Sequence, residues 1–103
     1  MPESHEASRV VGQRIAATRR ARRLSQAALA ARLGWPRDTL AHYEYGRRAL
    51  TVDRLVVLAA ALDVHPAALL IDDLGTAMFV TRLLNDAELR QQVRFFIDTL
   101  DSE

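Results

Sequence analysis

Three features of the chain predict an all-α fold. Alanine, the best helix former, occurs 17 times in 103 residues, against 4 glycines and 3 prolines. Apolar residues recur three and four apart over most of the length, which is the spacing of one helix face. The breaks between these stretches carry residues that start or stop helices. Half of the residues are hydrophobic (50%), so one small domain, with or without an appendage, can bury a core at this length.

Residues 1–7 are expected to be disordered. From Ser8 to Arg22 the pattern is helical, with Val11, Ile15 and Thr18 on one face and arginines on the others. Leu24-Ser25-Gln26 then reads as a break and a restart. Ser25 is a good N-cap, because its hydroxyl accepts from an otherwise orphan amide of the next turn. A short helix follows with Leu29 and Leu33 four apart, and Gly34 can take the left-handed conformation that ends it. Pro36 opens the third helix, Arg37–Tyr45, at a place where the missing amide hydrogen costs nothing. Its inward residues are Leu40, Tyr43 and Glu44, and Gly46 ends it. Arg47 to Thr51 is a loop. Val52–Leu62 is a strongly apolar helix with Leu55, Leu58, Ala59 and Leu62 on its core face. His65-Pro66 starts a short fifth helix through Ile71, proline suiting the first turn.

The remainder, 75–103, has a different character. A short helix is expected over Thr76–Leu84, then a longer one from Asp86. Asn85 and Glu88 have capping-box spacing, and Leu84 and Leu89 sit where a hydrophobic staple would. Leu89, Val93, Phe96 and Leu100 fall at i, i+4, i+7 and i+11, a narrow seam of coiled-coil type. Ile97 lies beside it, and Phe79, Val80, Leu83 and Leu84 form a second apolar surface upstream.

Charge is divided along the chain. The overall net charge is +1, yet residues 9–54 carry 11 arginines against Asp38, Glu44 and Asp53, a net +8; all other residues sum to −7. Lysine is absent. A basic N-terminal half suits a polyanionic partner, most often nucleic acid. With no cysteine, disulfides and thiolate zinc sites are excluded. No apolar run approaches the roughly 20 residues of a membrane span, and the N-terminus lacks an apolar signal core, so a cytoplasmic, nucleoid-associated protein with no membrane partner is expected. His5, His42 and His65 have no ligand spacing, and Ser, His and Asp stand in no activated arrangement. No catalytic residue, metal site or cofactor is expected.

Two short helices joined by a tight turn holding glycine are a helix-turn-helix, whose second helix lies in the major groove while the first crosses the backbone. Gly34-Trp35-Pro36 sets the crossing angle, with Trp35 plugging the turn into the core. The stretches "LSQAALAARLG", "TLAHYEYGRR" and "LVVLAAALDVHPAALL" resemble the phage-repressor or Cro-like family, also called XRE-type. The match runs ungapped from about Gly12 to Ile71. It includes Ser25-Gln26, the small Ala30 at the helix crossing, Gly34, and the Tyr43-Glu44-x-Gly46 ending. The resemblance implies a five-helix bundle over 8–74 that binds double-stranded DNA, leaving 75–103 as a helical dimerisation or partner-binding extension.

The resemblance assigns roles position by position. Arg37, Asp38 and His42 match base-facing positions, and Thr39 one close to the backbone or a thymine methyl. The Arg37 fork suits guanine O6 and N7. Asp38 can accept from cytosine N4 or, as the favoured role, hold Arg37 in place. Gln26 matches a phosphate contact that can also brace the base readers, and Arg19, Arg47 and Arg48 match phosphate clamps. Glu44 is expected to pair with Arg19, which makes Arg19 a brace as well. Tyr43 and Tyr45 are expected at packing or rim positions. The chain departs from the family at Pro36, where a Ser or Thr cap is usual, at Arg23 for glycine, at Thr18 for an apolar residue, and at Leu50 for proline.

These features predict a repressor that binds an inverted-repeat operator as a homodimer. Dimerisation is assigned to Phe79, Leu83, Leu89, Val93, Phe96, Ile97 and Leu100. The alternative is an antitoxin or adaptor whose C-terminal helices bind a heterologous protein.

Overall fold

The computed structural model describes residues 2–102, with side chains from Glu6 onward. Six α-helices follow one another: α1 (Pro2–Ala21), α2 (Gln26–Leu33), α3 (Arg37–Glu44), α4 (Val52–Ala61), α5 (Leu74–Asn85) and α6 (Ala87–Asp101). A 3-10 turn, Pro66–Leu70, joins α4 to α5 in place of the expected fifth α-helix. It remains a single short turn because Pro66 fixes its start, where the His65 ring accepts from the Ala67 amide, and extended Ile71 ends it. No strand occurs among the described residues.

The core is built from one face of every element up to α5. Ile15 of α1, Leu29 and Ala30 of α2, Leu40 of α3, Leu58 and Ala59 of α4, Leu62, Val64, Ala68 and Leu69, and Ala77 of α5 form one buried cluster. The spacing expected for α1 to α4 is therefore the spacing that packs. Thr18 is buried where an apolar residue was expected, and Leu50 packs against the cluster from the loop. Arg23 is in the left-handed region at φ 59°, so the residue standing in place of glycine keeps the backbone that glycine favours.

Arginines tie the termini of this core. Arg22 donates to the carbonyls of Leu62 (2.9 Å) and Asp63 (2.8 Å), satisfying acceptors at the end of α4. Arg14 pairs with Asp72 just before α5.

Three expectations are corrected. The stretch 2–7, expected to be disordered, belongs to α1; Met1 lies outside the described residues. The helix continues because its first half has partners: Glu6 pairs with Arg9, and Ala7, Ser8 and Val11 line an apolar groove with Leu50, Val52, Leu55 and Leu70. Second, the boundary at 74/75 falls inside a packed unit. α5 begins at Leu74, capped by Asp73, and buries Ala77 and Thr81 against the bundle. Third, the N-cap of α6 is Asp86 and not Asn85. The Asp86 carboxylate accepts from the Leu89 amide at 3.0 Å, which displaces the expected Asn85–Glu88 box by one residue.

α6 differs from the rest. It is fixed to α5 by Arg90, which donates to the carbonyls of Leu83 (3.2 Å) and Leu84 (2.7 Å), yet none of its residues is buried.

α1 crosses the end of α3 at close range. A Cβ on Gly12 would come within 2.6 Å of the Glu44 carbonyl oxygen, and closer still to that of Tyr43. Gly12→Ala is therefore expected to destabilise the chain by roughly 1–3 kcal/mol or more, because backbone must move to admit the methyl. Thermal unfolding followed by circular dichroism tests this; an unchanged midpoint would show that the crossing is not tight.

Candidate nucleic-acid interface

The α2–turn–α3 unit is set by short-range chemistry. The Ser25 hydroxyl accepts from Ala28 N at 3.0 Å and starts α2. Gly34, at φ 70°, ends it by donating back to Ala30 and Ala31. Trp35 N then donates to Ala30 O at 3.0 Å, and the indole packs against the core. Pro36 is the N-cap residue of α3 and makes no side-chain capping bond, as its replacement of Ser or Thr implies. Leu40, Tyr43 and Glu44 turn inward. Asp38 and His42 lie exposed on the opposite side, Arg37 is exposed in the first turn, and Thr39 is half-buried.

The rotation of α3 about its axis is fixed by a buried ion pair. Arg19 of α1 donates from Nε to Glu44 Oε2 at 2.7 Å and from Nη2 to Oε1 at 3.0 Å. Its third nitrogen, Nη1, donates to Leu24 O at 2.9 Å. Gln26 of α2 donates to the same Glu44 Oε1 at 3.0 Å. The Glu44 hydrogen bonds hold the Arg19 guanidinium above its ordinary pKa, while burial works against them. No buried side-chain nitrogen or oxygen among the described residues lacks a partner. One carboxylate thus joins α1, α2 and α3. A cleft of about 200 Å³ opens beside it, lined by Gln13, Ala16, Arg20, Gln26, Glu44 and Tyr45.

Two expected roles change here. The Arg19 side chain is only 9% exposed and each of its nitrogens donates within the protein, so it is a brace and not a phosphate clamp. Asp38 does not hold Arg37: no ion pair joins them among the described residues. Adjacent residues on a helix point about 100° apart, which keeps the two side chains from meeting. Gln26 is engaged in the bracing role.

Beyond α3 the chain turns at Gly46, whose φ is 71° and whose added Cβ would lie 2.5 Å from Arg9 Cα. The turn brings the exposed Arg47 over the Tyr45 ring (5.0 Å to the centroid) and the exposed Arg48 over Tyr43 (5.7 Å). Arg54, from the first turn of α4, lies over Trp35 (4.8 Å) and Tyr43 (5.6 Å) and donates to the Tyr43 hydroxyl at 2.8 Å. Both tyrosines are thus platforms for arginine. Sequence reasoning missed this, and missed Arg54 altogether. The signal was the alternation of aromatic and basic residues in "YEYGRR".

Site residues assigned to the C-terminal segment are brought together in part. Leu83, Val93 and Ile97 line one groove of about 200 Å³ with Arg90 and Arg94. Leu89 and Val93 are half-buried, whereas Phe79 (52%), Phe96 (61%) and Leu100 (54%) are largely exposed. Phe95, at 74%, is a further exposed aromatic off the seam.

A short glycine-broken turn between two helices, a second helix with its polar side outward, and flanking arginines define a helix-turn-helix DNA-binding module. The helix-turn-helix family model matches residues 15–69, and the chain belongs to that family, in its XRE-type branch of DNA-binding transcription regulators. Among solved structures it is similar to the restriction-modification controller protein C.AhdI from Aeromonas hydrophila, with 36% sequence identity and a TM-score of 0.57. The likeness covers 59% of this chain and 92% of that one. No curated protein matches the chain significantly. α5 and α6 lie beyond the residues matched by the family model.

The buried pair makes a distinctive prediction. Removing one partner leaves the other charged and unpaired, so Arg19→Met or Glu44→Leu alone is expected to cost about 3–5 kcal/mol, and the double variant less than either. Chemical denaturation of the three variants measures it. A double variant as unstable as the sum of the singles would show that the two residues act independently.

Proposed function

We propose that the chain is a sequence-specific repressor of transcription that reads an inverted-repeat operator as a homodimer. The observation that carries this is the outer face of α3, where Arg37, Asp38 and His42 stand exposed with Thr39 beside them. Arg47 and Arg48 flank that face on a turn just beyond the helix. Arg37, Asp38, Thr39 and His42 contact base edges, while Arg47, Arg48 and Gln26 contact phosphates. Arg20 and Gln13, which share the cleft with Gln26, extend the phosphate track. One recognition helix reads few base pairs, so a symmetric pair reading half-sites about 10 bp apart, or a multiple of that, supplies the specificity.

The exposed seam of α6 supports the homodimer. Phe96, Ile97 and Leu100 are each about half exposed or more, and a contiguous apolar face of this kind marks an interaction site. The acidic residues Asp86, Glu88, Asp98 and Asp101 on the same segment disfavour contact with phosphate. The same seam also supports a second reading, an antitoxin or adaptor that captures another protein there. The likeness to a controller protein favours transcription control over that reading.

Selection of duplexes from a random library, followed by footprinting, tests the assignment. A symmetrical footprint is expected; one short unsymmetrical site bound by a monomer rejects it. With the selected duplex in hand, Arg37→Ala is expected to lose roughly 1–3 kcal/mol and to relax preference at one base position. Arg47→Ala and Arg48→Ala should weaken all sequences alike and flatten the salt dependence by about one unit each. An Arg37→Ala variant that weakens every sequence equally removes its base-reading role.

Truncation after Asn85 removes α6 and leaves every buried residue in place. The product is expected to be a folded, helical monomer with much weaker operator binding, and Phe96→Asp in the full chain should behave the same way. Sedimentation showing both still dimeric places the interface in the bundle instead. A wild-type monomer that saturates with a co-purifying protein favours the antitoxin or adaptor reading.

A further inference from the structure

Four side chains from four places in the chain form one cluster of aromatic and cationic groups. Trp35 comes from the α2–α3 turn, Arg54 from α4, Tyr43 from the buried side of α3, and Arg48 from the loop after α3. The guanidinium carbon of Arg54 is 4.8 Å from the Trp35 centroid and 5.6 Å from that of Tyr43, and Arg48 is 5.7 Å from Tyr43. Trp35 and Tyr43 are also in tilted contact, with centroids 5.8 Å apart. A hydrogen bond from Arg54 to the Tyr43 hydroxyl, at 2.8 Å, ties Arg54 to the ring that also carries Arg48. The Arg54 backbone is itself held, since its amide donates to the Thr51 hydroxyl that caps α4.

We propose that Arg54 is a positioning residue of the DNA-binding face, acting through Trp35 and Tyr43 to hold Arg48 ready for a phosphate without touching DNA itself. This rests on the reading of Arg48 as a phosphate contact. The physical argument concerns order before binding. An arginine on a free loop loses much rotamer freedom when it is fixed on a phosphate. Arg48 has already lost part of that freedom, because its guanidinium lies over the ring of Tyr43, a residue that is 4% exposed and whose hydroxyl is held by Arg54. Arg54 is half-buried and its Nη1 is committed to Tyr43, which suits a support better than a contact. The two arginines sit on one ring, so the planar fork matters: lysine supplies the charge but not the stack.

The experiment uses the full chain, the duplex selected by the wild type from a random library, and binding measured over a series of salt concentrations. Arg54→Met is expected to weaken binding about three- to tenfold, with the salt slope unchanged. Arg48→Ala should weaken binding and lower the slope by about one unit. In the Arg48→Ala background, Arg54→Met should add little, because the residue it supports is gone. Arg54→Lys should restore less than half of the loss on a logarithmic scale. Trp35 fluorescence of the free protein should change in Arg54→Met, reporting the cluster without DNA. Should Arg54→Met fail to fold, Tyr43→Phe removes only the hydroxyl that Arg54 grips, and its loss should likewise vanish in the Arg48→Ala background. A slope that falls by one in Arg54→Met makes Arg54 a phosphate contact and overturns the proposal, as do losses that add fully across the two sites. A wild-type chain that enriches no duplex overturns the DNA reading first, and the role of the cluster with it.

Discussion

The geometry of this protein depends on one buried carboxylate. Glu44 accepts from Arg19 twice and from Gln26 once, and so joins the three helices that make up the DNA-binding module. Taking a carboxylate and a guanidinium out of water costs several kcal/mol each, and their attraction repays it only when geometry is good and the remaining groups are bonded. Both conditions are met here, since the pair is bidentate and the third arginine nitrogen reaches the Leu24 carbonyl. Such a pair adds little net stability over apolar residues of the same size. Its contribution is directional. Apolar contacts tolerate small rotations of a helix, whereas three hydrogen bonds to one carboxylate near the C-terminus of α3 do not. The tight approach of Gly12 to the same end of α3 removes the remaining freedom.

The consequence is a division within α3 between a fixed inner side and a free outer one. Glu44, Tyr43 and Leu40 are held from behind, so the positions of Asp38 and His42 follow from the helix alone. The arginine–aromatic cluster continues that logic past the end of the helix. Tyr43 is the pivot, because it sits beside Glu44 in the buried layer and carries Arg48 on its ring. A rigid inner layer thus sets both the recognition helix and the loop that follows it.

Much of this was legible in the sequence, for a physical reason. Local rules such as the Ser25 cap, the Gly34 stop and the apolar spacing of α2 and α4 depend on neighbours within a turn or two, and they placed those elements correctly. The Arg19–Glu44 pair, 25 residues apart in sequence, became visible only through the family resemblance. What stayed hidden depends on distant partners. Residues 2–7 carry no strong helix signal of their own; what local rules do not show is that Ala7, Ser8 and Val11 meet Leu50, Val52 and Leu55, far away in sequence. Arg54 looks like any surface arginine until the turn after α3 folds back and places Trp35 and Tyr43 beneath it. The start of α6 was misplaced by one residue because Asn85 and Asp86 are both good caps, and only the path leaving α5 decides between them.

The two ends of the molecule solve opposite problems. The bundle through α5 closes its own core: every residue of the buried cluster lies at or before Ala77, and its arginines either brace the interior or face outward. α6 closes nothing. With 15 residues it is marginal as an isolated helix, it leans on α5 through Arg90 and a shallow groove, and it leaves Phe95, Phe96, Ile97 and Leu100 largely in water. The same sequence that spends buried polar bonds to orient α3 therefore leaves the apolar face of α6 without a partner in the single chain. Charge divides less sharply than packing: residues 9–54 sum to +8, whereas Asp86–Asp101, α6 with its cap, holds Arg90 and Arg94 against Asp86, Glu88, Asp98 and Asp101 and sums to −2. A module that must face a polyanion gains from an association segment without excess positive charge, because the proposed pairing through α6 then competes with neither the phosphates nor the core. In the proposed homodimer, α5 is the element on which this arrangement turns. Packed into the bundle by Ala77 and Thr81 on one side and bonded to α6 through its last carbonyls on the other, it would transmit the placement of the α6 pair to the spacing of the two recognition helices.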